Sequence, residues 1–160
     1  MGYKKRIAIL IVGEFRTPNL INLKNAIKDF DIYISTYTKY EDVVSKITEN
    51  YLINKESEIT KIISKNLAPN LQDRKSVIRR IYQWWHLDNL LKQFKDKLKN
   101  YDVILKIRSD TYFILPLKET MFKNINNNYV YINSDHIFYA SSTKFIDIYS
   151  SFLSEIYKKY

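Results

Sequence analysis

Cysteine is absent from the 160-residue chain. That excludes disulfide scaffolds, zinc–thiolate sites and cysteine nucleophiles. Histidine occurs only as His86 and His136, so a metal site would have to draw mainly on carboxylates. Glycine occurs only as Gly2 and Gly13. Neither the G-x-G-x-x-G dinucleotide fingerprint nor a P-loop is present. No stretch approaches the roughly 20 apolar residues of a membrane span. Lys4-Lys5-Arg6 and the run Ile7 to Val12 imitate the start of a signal peptide, but the run is shorter than the roughly 7–15 residues needed, and no small-residue cleavage site follows. Gly2 invites myristoylation, yet position 6 is arginine where the motif takes Ser or Thr. The expectation is an intracellular, cytoplasmic protein.

What is present is ordinary for a folded domain: 46% apolar and 27% charged residues. The length points to one domain spanning 1–160 with a real core. The net charge is +9, and only six of the 26 basic residues are arginine. The abundance of lysine, isoleucine, asparagine and tyrosine fits a codon bias, with the lysines spread over solvated faces. The functional alternative is a phosphate-bearing partner or peripheral contact with an anionic membrane surface.

Ile7 to Val12 is a continuous, largely β-branched run that stops at Gly13, the pattern of a strand buried on both faces in a parallel sheet. Leu20, Leu23, Ile27 and Phe30 have helical spacing. Asp31 to Tyr37 reads as a second strand, which makes a βαβ unit. Residues 42–50 and 55–66 read as helices, and 73–100 as the longest one. Val103 to Arg108 reads as a third core strand. Short strands are expected at 129–132 and 137–140, a loop at 124–128, and a closing helix over 145–160. The expected fold class is α/β, with residues 7–12, 32–36 and 103–108 as neighbouring parallel strands and helices between them.

Such sheets bind ligands at the carboxyl edge of their strands, and four places put polar residues there. The first is Gly13-Glu14-Phe15-Arg16, where glycine permits close backbone approach and Arg16 suits a phosphate or carboxylate. The second is Ser35-Thr36-Tyr37. The third is Lys106-Ile107-Arg108-Ser109-Asp110, whose three charged residues project to one side if the strand continues. Those charges need partners. A phosphate with its divalent cation would supply them, and so would an internal pair of Asp110 with Arg108 or Lys106. The fourth is Asn133-Ser134-Asp135-His136, which offers a base or metal ligand and equally an ordinary hairpin turn. Trp84-Trp85 in the long helix reads as core, with Gln83 and His86 beside it as pocket-edge residues.

These segments occur in a familiar order: Gly13-Glu14-Phe15-Arg16, Asp31 to Tyr37, Tyr82-Gln83-Trp84-Trp85, Tyr101 to Asp110, and Asp135 to Ala140. The chain resembles GT-A-type glycosyltransferases, and within them the group found in surface-polysaccharide and lipopolysaccharide loci and in large viruses. The resemblance implies a single GT-A-like (Rossmann-like) three-layer αβα sandwich with a mostly parallel sheet. It implies a nucleotide-sugar donor, UDP- or GDP-linked, and a glycan or other hydroxyl acceptor. If the source is viral, it implies a place in the host cell or virion. In that superfamily a DxD-type motif at a strand end holds a divalent cation on the donor diphosphate. The matching segment here is Arg108-Ser109-Asp110. The resemblance thus implies Asp110 as ligand of Mn²⁺ or Mg²⁺, with Arg108 able to neutralise phosphate itself. It places Gly13, Arg16, Thr36, Tyr37, Gln83 and Arg108 around the nucleotide. Asp135 and His136 fall near the acceptor as catalytic residues. The competing expectations are a non-catalytic basic module that binds nucleotides or nucleic acid, and a silent α/β module that assembles with another transferase chain. No RNP, KH, helix-turn-helix or zinc-finger signature supports nucleic acid.

Overall fold

A computed structural model describes residues 4–15, 20–134 and 136–160. The six residues of Ile7–Val12 are all buried and form β1. The elements that follow are α1 (Leu20–Ile27), β2 (Asp31–Tyr37), α2 (Glu41–Val44), β3 (Tyr51–Asn54), α3 (Glu56–Lys65) and α4 (Lys75–Leu98). After them come β4 (Val103–Ile107), β5 (Tyr131–Asn133), β6 (Ile137–Ser141), α5 (Ser142–Tyr149) and α6 (Phe152–Lys159).

The six strands form one mixed sheet in the order β3-β2-β1-β4-β6-β5. The first four are mutually parallel, with Leu10 beside Tyr33 and Lys106, and Ile34 beside Tyr51. β6 runs antiparallel to β4, with Ile107 opposite Ile137, and β5 runs antiparallel to β6. The fold is therefore α/β with a mostly parallel sheet, and the strands read at 7–12, 32–36 and 103–108 are the neighbours expected.

Strand alternation divides the core in two. Ala8, Leu10 and Ile104 point to the face covered by Leu87 and Leu91 of α4 and Phe145 of α5. Ile9, Ile11, Ile34 and Leu105 point to the other, covered by Leu23 and Ile27 of α1. Burying each such side chain contributes about 1.5–3 kcal/mol, so a one-residue slip of β1 would exchange both faces at once.

Three expectations are corrected. The helix read over 42–50 is only the single turn of α2, and β3 follows it. The closing helix is two, α5 and α6, broken at Ser150–Ser151. The third core strand ends at Ile107 rather than running on through Arg108. Among the described residues no helix is long and apolar enough to cross a membrane.

Candidate functional site

The sheet changes direction of growth between β1 and β4, because β2 and β3 are added on one side of β1 and β4 on the other. At such a switch point the two outgoing loops diverge and leave a crevice at the carboxyl edge. A cleft of about 640 Å³ lies there. Gly13 and Glu14 after β1, Tyr37 and Lys39 at the end of β2, and Glu56 after β3 line it, with Arg108 and Asp110 after β4. Arg79, Arg80, Tyr82 and Gln83 of α4 form the remaining wall.

The loops are tied to one another. Gly13 turns at φ +90°, a conformation that strains L side chains, although a Cβ there would meet nothing within 4 Å. Its N–H donates to the Ser35 carbonyl at 2.9 Å. Its own carbonyl accepts from the Thr36 hydroxyl at 2.7 Å. The Ser109 hydroxyl donates to the Glu14 carbonyl at 2.6 Å, bridging the switch point. The rim is thus fixed from within, which is what a binding site needs if little energy is to be lost on ordering it.

Of the residues singled out from the sequence, Gly13, Tyr37, Gln83, Arg108 and Asp110 line this one cleft. Thr36 is fully buried, and its hydroxyl braces the Gly13 turn rather than facing the cleft. His136 sits in the turn between β5 and β6, and its carbonyl accepts from the Arg108 N–H at 3.2 Å, so it lies at the same edge of the sheet. Arg16 and Asp135 lie outside the described residues. His86 is not a pocket-edge residue but a core one, with no exposed surface.

Arg108 donates from Nε to Asp110 Oδ1 and from Nη2 to Oδ2, each at 2.9 Å. This bidentate ion pair is the internal pairing that the sequence offered for Asp110. Glu14 similarly receives the Lys39 ammonium at 3.3 Å and the Tyr40 hydroxyl at 3.1 Å. Lys106 is wholly buried. Its Nζ lies 3.3 Å from Gln83 Oε1 and 4.7 Å from the Phe138 ring centre. Burial, reinforced by Tyr82, Glu56 and Glu14 nearby, pushes the Tyr37 phenol above its ordinary range, so it stays a hydrogen-bond donor. Its ring packs edge-on against Tyr82 and His86.

A resident divalent cation does not fit this donor set. Hard cations such as Mg²⁺ and Mn²⁺ take several oxygen ligands. Here both oxygens of Asp110 face a guanidinium, and four basic side chains share the cleft with three carboxylates. Among the described residues no three His, Asp or Glu side chains cluster as a metal site.

Sequence reasoning missed Arg79, Arg80, Lys39 and Glu56 as lining residues, whereas Glu14 falls within the loop singled out after the first strand. The signal for the first two was available. They are a doublet from a chain with six arginines, and Arg79 stands one helical turn before Gln83 on the same face. Neither has an ion-pair or hydrogen-bond partner among the described residues. No family model matches the chain, and no curated protein matches it.

Proposed function

We propose that the protein is a glycosyltransferase of GT-A-like type that moves a sugar from a nucleoside diphosphate sugar to a hydroxyl acceptor. The observation that carries this reading is the cleft itself. Loops from β1, β2 and β4 converge at the switch point with a positive-φ glycine, a neutral tyrosine hydroxyl, a glutamine and a surplus of basic side chains. In the reaction, the bond from the anomeric carbon to the diphosphate oxygen breaks and a bond to the acceptor oxygen forms. The acceptor proton passes to a base, and the nucleoside diphosphate leaves with added negative charge. Fixed cations aimed at that charge are the larger part of such catalysis. His136, whose carbonyl accepts from the Arg108 N–H at the sheet edge, is a candidate base, and Asp135 precedes it in the sequence.

A panel titration tests the reading. UDP or GDP should bind, and the matching nucleoside should bind at least tenfold more weakly, since the charged contacts are lost. Release of the nucleoside diphosphate from a donor panel should be measurable and should accelerate with a glycan acceptor. Tight binding of single-stranded DNA with no response to UDP, GDP or their sugars would replace this reading with the nucleic-acid one.

A further inference from the structure

We infer that this cleft binds diphosphate without a metal ion, through Arg79 and Arg80 of α4. The inference takes its ligand from the nucleotide-sugar reading, but the site stands on its own residues.

The charges lining the cleft decide the matter. Lys39, Arg79, Arg80 and Arg108 face Glu14, Glu56 and Asp110. Glu14 is paired with Lys39, and Asp110 with Arg108. That leaves the arginine doublet against the single carboxylate of Glu56. A metal site has the opposite pattern: several carboxylates gathered round an empty point and held apart only by the ion. Here the carboxylate that would be the first ligand is chelated by its own neighbour in the chain.

The doublet has the right form for the task. Arg79 and Arg80 lie in the second turn of α4, and adjacent helical residues diverge by about 100°. Both side chains nonetheless line the same cleft. Each offers a planar fork of donors matched to phosphate oxygens. A diphosphate that gains charge as it departs would meet both of them. The α4 wall would then do what a divalent cation does elsewhere, with no metal to bind and release.

Inorganic pyrophosphate is the probe, titrated calorimetrically into the full chain in EDTA and again with Mn²⁺. Binding in EDTA is expected. It should weaken roughly tenfold or more in Arg79→Gln and in Arg80→Gln, as a lost charged hydrogen bond requires. Glutamine keeps helix propensity at these exposed positions, and a matched melting curve confirms the fold. Asp110→Asn should strengthen binding in EDTA rather than weaken it, because it removes a negative charge from the cleft and frees the Arg108 fork, whereas loss of a cation ligand would weaken it. Binding that requires Mn²⁺, an affinity unchanged in the double arginine variant, or no binding in either buffer overturns the inference. UDP and GDP are titrated in parallel to keep the two ideas apart. Arginine-dependent pyrophosphate binding with no nucleotide competition sinks the nucleotide-sugar reading alone. Sugar transfer that depends on Mn²⁺ and ignores the arginines sinks this inference alone.

Discussion

His86 shows how burial sets the behaviour of a single side chain. Its Nδ1 lies 2.8 Å from the Ser35 hydroxyl, and Nε2 has no partner among the described residues. Burial strips water from the ring and disfavours its charged form, which lowers the pKa from 6.5 to about 3. Between those values the unfolded chain holds a proton that the folded chain does not. Stability therefore falls as pH drops through 6.5, with a slope approaching about 1.4 kcal/mol per pH unit. Urea unfolding between about pH 6.5 and 5, above most carboxylate titrations, should show that slope in the native chain and lose it in His86→Gln. Equal slopes in both would mean the imidazole reaches water. No residue pattern hinted at this, because a histidine after two tryptophans reads equally as pocket edge and as core. Only the packing of α4 on β2 decides. Arg108 and Asp110 were easier, since charges ending an apolar strand must find partners, and the nearest pair found each other.

The elements around the cleft are joined by hydrogen bonds that touch no ligand. The Thr36 hydroxyl on the Gly13 carbonyl is the most exposed to test, since Thr36→Val keeps the shape and removes the donor. The carbonyl would be left in a buried setting without that bond, at a cost of about 1–3 kcal/mol. The urea midpoint of Thr36→Val should fall accordingly, and an unchanged midpoint would show that water reaches the turn. β1, β2 and β4 were legible because a strand buried on both faces must be a continuous apolar run. β3 was not. It is four residues long, none of them fully buried, and it pairs with residues 34–37 of β2. The helix expected before it fails because the Thr48 hydroxyl donates to the Ile32 carbonyl at 2.7 Å and accepts the Asn50 N–H, which locks a turn. The final helix breaks at two serines, poor helix residues, and Tyr149 and Phe152 on either side of the break both pack on Trp84.

At the scale of the whole molecule the governing quantity is the net charge of +9. Self-repulsion opposes the compact state and is relieved by salt. From about 10 to 150 mM NaCl the Debye length shrinks from about 30 Å to about 8 Å, so the melting temperature should rise over that range. A diffuse charge responds to ionic strength alone, whereas a built anion site responds to the kind of anion. Sulfate at matched ionic strength should therefore raise the melting temperature further. Part of that excess is general, because sulfate is excluded from protein surface and favours burial in any protein. The double variant Arg79→Gln, Arg80→Gln separates the two contributions. It lowers the charge only from +9 to +7, so the response to NaCl should change little. The excess from sulfate should shrink to its general part, because mass action then has no specific site to draw on. An excess identical in native and variant chains would assign the charge to solvation of the whole surface and leave the arginine doublet with no anion of its own.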